Sequence, residues 1–250
     1  MGKKNKIQEK PTKQKNWYSF LDYIDPFTYL DMLLYNTLGE PKSMGKKVLF
    51  WIIYIAFAFL LAYILYTLLG IIFGSTMPLA TVVSGSMEPT FQRGDVVVLG
   101  GTKYINAETV IINENIAQKD LSWFSEMTYK TNEYGLDEVS TITIDNQTIK
   151  FDDIIKNNNS VVVYTSNIQG IPIIHRVVAI IDAKDGIFII TKGDNSKTNR
   201  YIDQDCEVSP LTGYATKGCL NLYPVKIDSL LGKKIGLIPY IGYAKLFLFG

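Results

Sequence analysis

The string Ser84-Gly85-Ser86-Met87-Glu88-Pro89-Thr90 is where residue types and spacing in this chain first suggest chemistry. It follows Thr81-Val82-Val83, a β-branched run that reads as a strand, and Pro89 restricts the backbone just past the second serine. Ser86 then sits on a stiff corner, where its hydroxyl can face solvent and its own N–H can point at a developing oxyanion. A serine hydroxyl is a weak nucleophile until a base takes its proton. The composition holds one histidine, His175, inside the apolar run IPIIHRVVAI at 171–180. An imidazole base works best when a carboxylate orients it and stabilises the imidazolium, and such a set performs acyl transfer. A lone histidine on an apolar strand is also a common structural residue, so the pairing of hydroxyl and imidazole is an expectation about the fold. With one histidine and two cysteines outside any C-x-x-C pair, no His/Cys metal site is expected.

The serine string resembles the serine box of signal peptidase I, whose second serine, followed by Met, is the nucleophile. The resemblance implies Ser86 as nucleophile, with Ser84 as a second oxyanion donor beside the Ser86 N–H. Ile174-His175-Arg176-Val177 is similar to the base-bearing box of the Ser-His branch, the archaeal, endoplasmic-reticulum and spore-former type. Most bacterial enzymes carry lysine in place of that histidine. TKGDN at 191–195 resembles the family's acidic box and makes Asp194 the first choice for the orienting carboxylate. The family often has another acidic pair a few residues on; here those positions hold Asn199 and Arg200, which leaves Asp203 as the alternative acid. GLIPYIGYAKL at 236–246 resembles the closing segment of the branch. The likeness covers residues 70–100 and 160–196 closely, the C-terminal end moderately, and 101–159 not at all.

What the resemblance implies is a membrane-bound serine endopeptidase that removes signal peptides from secretory preproteins after small residues at −1 and −3, with no cofactor. The extended substrate would pair with strands around 79–83 and 161–164, where Ala80, Val82, Val83, Val162 and Val163 would shape shallow pockets. Two other readings compete. A self-cleaving repressor-type protease shares the serine box but uses lysine and a DNA-binding domain. A catalytically inactive, membrane-tethered binding domain would keep the scaffold without the reaction.

The elements that must position these residues begin with residues 48–72, an uncharged apolar run that as a helix is about 37 Å long and can cross a bilayer. Lys42, Lys46 and Lys47 flank its N-terminal end, and no ionisable residue follows it until Glu88. This asymmetry puts the N-terminus in the cytoplasm and the rest outside. The expected organisation is a cytoplasmic basic tail and interfacial segment over 1–47, a membrane helix over 48–74, and an extracytoplasmic β-rich domain over 75–250 with an insertion at about 101–159. Residues 1–15 carry six lysines and one acid, a solvated tail able to touch anionic lipid. Residues 17–38, rich in aromatics and broken at Pro26, suggest a short helix lying in the interface.

Lys+Arg 25 against Asp+Glu 24 argues against a nucleic-acid partner. Beyond the helix, runs such as DVVVL (95–99), STITI (140–144), SVVVY (160–164), HRVVAII (175–181) and IFIIT (187–191) read as strands. Turn signals at Asp145-Asn146 and Asp185-Gly186 separate some of them, so the fold class is mainly β. The final stretch, 232–250, turns apolar again but is too short to cross a bilayer, and 236–246 can also be read as an amphipathic terminal strand. Cys206 and Cys219 are placed either to bond outside the membrane or to remain free thiols, and the sequence leaves both open. Asn146-Gln147-Thr148 and Asn158-Asn159-Ser160 fit glycosylation acceptors in a host that uses them.

Overall fold

A computed structural model of the chain describes residues 23–206 and 219–249. The chain divides into two compact units, Met1–Leu65 and Tyr66–Gly250. Residues 1–22, where the basic tail and the start of the interfacial segment were expected, lie outside the described residues.

In the first unit, α1 (Pro26–Leu38) starts where the sequence suggested a break. The Asp25 carboxylate accepts the Phe27 N–H at 3.0 Å, and Pro26 takes the first helical position, where a missing N–H has no consequence. Gly39, at φ 68°, ends the helix by donating its N–H to the Tyr35 carbonyl. Leu30 and Leu34 of α1 bury against Phe50 of α2 (Met44–Phe73), and the rings of Phe27 and Phe57 meet edge to face with centroids 5.3 Å apart. The Tyr54 hydroxyl donates to Asp31. α2 is long and apolar enough to cross a membrane, with a mean hydropathy of 2.6 in its most apolar stretch, and it is apolar on every side. A helix exposing Trp51, Ile52, Phe59, Ile71 and Ile72 suits lipid as its solvent.

The second unit is built on an eight-stranded sheet in the order β1-β2-β11-β7-β8-β9-β10, with β3 also paired to β8. Its strands are β1 (Leu79–Thr81), β2 (Val96–Gly100), β3 (Glu108–Ile112), β7 (Val161–Thr165), β8 (Pro172–Ala183), β9 (Gly186–Lys192), β10 (Val225–Lys226) and β11 (Gly232–Ile238). β-Branched residues supply most of these runs, and their side chains pack well on a pleated surface. β8 is 12 residues long, so one of its edges serves β7 and then β3, while the other takes β9 from Arg176 onward. A bulge at Val178 re-aims the strand between these partners.

The stretch 101–159 contributes β3 to the main sheet, then a three-stranded sheet of β4 (Ser125–Thr131), β5 (Asp137–Ile144) and β6 (Gln147–Lys150), and the short helix α3 (Phe151–Lys156). The tight turn at Asp145 and Asn146, φ 43° and 65°, joins β5 to β6. Val139, Ile142, Ile144, Ile149 and Ile154 from this stretch share one core with Val110, Ile181 and Ile190 of the main sheet.

β11 is followed by α4 (Tyr243–Phe249), so the segment 236–246 runs from a strand into a helix and is not a single terminal strand. Gly242 packs between Thr81 and Gly94: a Cβ there would stand 2.6 Å from the Thr81 methyl and 2.7 Å from the Gly94 carbonyl oxygen. The closing segment is thereby pinned against the turn that leads into β2.

Candidate active site

The loop that carries Ser86 is held from below and from the side. Met87 and Phe91 are fully buried among Val82, Val97, Val161 and Val163, so the two apolar residues of the loop plug it into the core. Ser86 itself is half-buried, and its hydroxyl oxygen lies 3.2 Å from that of Ser84. Among the described residues the Ser86 N–H donates to no group, which leaves it free for an oxyanion.

The segment after β9 clamps this loop. The Asn195 N–H donates to the Ser86 carbonyl at 3.0 Å, and the Asn195 side-chain amide donates to the Gly85 carbonyl at 2.8 Å. Gly193 passes so close beneath that only a hydrogen fits on its Cα. Sequence reasoning named Asp194 in this box and missed both neighbours; the Gly193-Asp194-Asn195 string was the signal that could have found them.

His175 and Arg176 are consecutive on β8 and point to opposite faces of the sheet. His175 stands opposite Val162 on β7, on the face that Tyr164 and Thr191 share. Its Nδ1 lies 2.6 Å from Oδ2 of Asp203, with both side chains only 2% exposed. Asp203 reaches this face because its N–H donates to the Thr191 carbonyl at 2.8 Å, while Gln204 accepts the Thr191 N–H at 2.9 Å. The Leu220 and Asn221 N–H groups donate to the Asp203 carbonyl, and the disulfide between Cys206 and Cys219 ties that second segment to the first. The alternative left open by the sequence is thus resolved as a bonded pair.

Asp194, the first choice for the carboxylate beside the imidazole, is found elsewhere. The Arg176 guanidinium donates Nε to Oδ1 at 2.8 Å and Nη2 to Oδ2 at 2.6 Å, and the Thr90 hydroxyl also donates to Asp194. Arg176 Nη1 goes to the Asn159 carbonyl at 2.8 Å. Asp194 therefore neutralises a buried arginine and ties it to the serine loop through Thr90, and the residue in contact with His175 is Asp203. The reason is positional: Asp194 follows β9 onto Arg176's face, and Asp203 returns on the other.

Ala80 and Val82 lie on and just after β1, an edge strand, and Val83 is exposed. The Pro78 carbonyl and both backbone groups of Val82 bond toward β2 and its turn, so those of Thr81 and Val83 face the open edge. Val162 and Val163 differ from expectation. They pair with β8 on one side and β11 on the other, and their side chains are fully buried, so β7 has no free backbone there for an added strand. Among the described residues, the open edge on that side is residues 172–175 of β8, because β9 ends at Lys192, level with Arg176.

No hydrogen bond joins Ser86 Oγ to His175; the chain leaving β9 beside His175 instead runs through Gly193 directly under Ser86. The imidazole Nε2 has no partner among the described residues, since Nδ1 alone is engaged. A hydroxyl, an imidazole with one free nitrogen, a buried carboxylate and an unused N–H are the components of a serine acyl-transfer site. Among the described residues no group of three His, Cys, Asp or Glu side chains is arranged to hold a metal ion.

No protein-family model matches the chain. It is similar to the signal peptidase complex catalytic subunit SEC11 of Candida tropicalis, 26% identical over 194 residues, which are 78% of this chain and 79% of the relative. The corresponding subunit of Clavispora lusitaniae is 28% identical over the same shares of the two chains. That of Leptosphaeria maculans is 25% identical over 210 residues, 84% of this chain and 83% of its own. The likeness covers most of each chain, so this protein is similar along most of its length to catalytic subunits of the signal peptidase complex, at 24–28% identity.

Proposed function

We propose that the chain is a membrane-anchored serine endopeptidase that removes signal peptides from secretory preproteins. Ser86 attacks the carbonyl of the scissile bond, and His175 takes the hydroxyl proton through Nε2 and returns it to the leaving amine. Water then releases the acyl-enzyme. Asp203 accepts from Nδ1–H, which leaves Nε2 as the basic nitrogen, and stabilises the imidazolium that forms. The Ser86 N–H and the Ser84 hydroxyl hold the oxyanion. The substrate's extended segment adds to the outward edge of β1 at Thr81 and Val83 and to the open edge of β8 at 172–174, beside Ala80 and Val82.

The observation that carries this reading is the buried contact between His175 and Asp203, made on the only imidazole in the chain. An inactive binding domain on the same scaffold is not favoured, because it has no use for a desolvated imidazole and carboxylate pair. The lysines before α2 and the uncharged stretch after it support an N-terminus in the cytoplasm and residues 75–250 outside. The relatives are named as subunits of a complex, so accessory subunits are expected partners here as well.

The test is cleavage of a reporter preprotein by the purified full chain in detergent. Wild type should cut after an A-x-A sequence and fail when the −1 alanine becomes a bulky residue, and Ser86→Ala should abolish cutting. Processing by Ser86→Ala at the wild-type rate would overturn the assignment.

A further inference from the structure

Oδ2 of Asp203 is shared. Besides His175 Nδ1, it accepts the Thr191 hydroxyl at 2.6 Å and the Tyr164 hydroxyl at 2.9 Å. Tyr164 and Thr191 have 0% exposure and His175 and Asp203 1%, so water does not compete for these bonds. The reaction described above uses the imidazole and the carboxylate and gives neither hydroxyl a role.

Volume alone does not account for Tyr164. Its ring packs among Val162, Val177, Ile189 and Val225, a site that phenylalanine would fill, and burying a hydroxyl is unfavourable unless it is hydrogen-bonded. A carboxylate torsion is broad and roughly two-fold, so a buried aspartate needs donors to hold one oxygen on a particular partner. Tyr164 is suited to this, with only two side-chain torsions and a ring fixed by packing.

We propose that Tyr164 is a positioning residue for the Ser86 and His175 reaction, seconded by Thr191. It holds the Asp203 carboxylate on Nδ1 of His175 and draws off part of its charge. The proposal rests on the endopeptidase reading above. Burial and the nearby Asp203 charge push the Tyr164 phenol well above its ordinary range, so it stays a donor at any working pH. The charged groups next along the strands face away: Arg176 is paired with Asp194, and Lys192 with Glu138. On the shared face, the titratable groups among the described residues that contact the carboxylate are His175 and Tyr164.

The sign of the effect follows. Removing the phenol hydrogen bond leaves more charge on Asp203, which favours the imidazolium and makes the base harder to regenerate on the acid side. In detergent-solubilised full chain, Tyr164→Phe should lower kcat about tenfold, the equivalent of one hydrogen bond, with KM changed less than about twofold. The acid limb of the rate profile should move to higher pH. Thr191→Val should act in the same direction, and Thr191→Ser, which keeps the hydroxyl, should behave as wild type. Those two variants decide the matter should Tyr164→Phe not fold. A folded Tyr164→Phe with wild-type kcat and pH–rate profile overturns the positioning role, as does a Thr191→Val indistinguishable from Thr191→Ser. Either result alongside a dead Ser86→Ala spares the endopeptidase reading; an active Ser86→Ala removes both.

Discussion

Gly193 runs directly beneath Ser86, so that a Cβ on Gly193 would stand 2.6 Å from the Ser86 carbonyl oxygen and 2.8 Å from Asn199 Cβ. Real Cβ atoms do not approach a backbone oxygen so closely, and the loop above is held by Asn195 in the position that Gly193 permits. Gly193→Ala should therefore lift the serine loop. Displacing a nucleophile by about 1 Å costs on the order of 100-fold in rate. A kcat at or near wild type in the reporter assay would show that the loop tolerates the methyl group.

The two aspartates should fail in different ways. Asp203→Asn keeps the shape but replaces the carboxylate with a neutral amide that no longer fixes the His175 tautomer or stabilises an imidazolium, and kcat should fall by roughly 10⁴ with little change in the unfolding midpoint. Asp194→Asn leaves the Arg176 guanidinium buried with no counter-charge, and stability should fall by about 3–5 kcal/mol. Denaturant titration and kcat measured side by side separate the two; equal rate losses for both variants at equal stability would contradict this division.

Asp185 closes the turn between β8 and β9 and accepts the Ile116 N–H at 3.0 Å and the Ala117 N–H at 2.9 Å. Burial works to raise its carboxyl pKa, but the hydrogen bonds from Ala117, Ile116 and its own backbone outweigh this and hold it below the usual range. A carboxyl depressed in the folded state adds stability that is fully present above its unfolded pKa of about 3.9 and is lost as pH falls through the lower folded value. Asp185→Asn should thus reduce stability by about 1 kcal/mol at pH 7. The gap between variant and wild type, read from urea unfolding, should shrink as the solution is taken below pH 4, and a pH-independent gap would exclude the charge as its source.

The disulfide between Cys206 and Cys219 closes a loop of sequence separation 13 and fastens the segment whose Leu220 and Asn221 N–H groups hold the Asp203 backbone. Loops of this size are stabilised by about 3 kcal/mol when cross-linked. Replacing both cysteines with serine should lower the unfolding midpoint by about that free energy. The rate should fall as well, because Asp203 loses part of its support. Unchanged activity in the double variant would mean that Thr191 and Tyr164 suffice to place the carboxylate.

Much of this molecule was legible in residue order. Runs of Val and Ile marked β2, β5, β7, β8 and β9 because a β-branched side chain favours a pleated backbone wherever the strand ends up. The apolar stretch of α2 and the serine and histidine boxes could be read for the same reason, since each signal is local. The break at Pro26 is local too, since an aspartate cap followed by proline at the first helical position starts a helix there.

Sequence by itself determined a mainly β unit behind one apolar helix, a serine beside a proline-stiffened turn and a single imidazole. Tertiary structure alone decided which acid meets that imidazole and which strand edges stay open. Consecutive residues of a strand face opposite sides, so His175 and Arg176 draw their carboxylates from different directions. Whether the chain after β9 supplies Asp194 or Asp203 to a given face depends on how it folds back across Thr191 and Ser86. Likewise, β7 lost its place as a docking strand once β11, from the far end of the chain, paired along its second edge. Pairings between residues so distant in sequence are set by the packing of the whole sheet, and no short window of residues contains them.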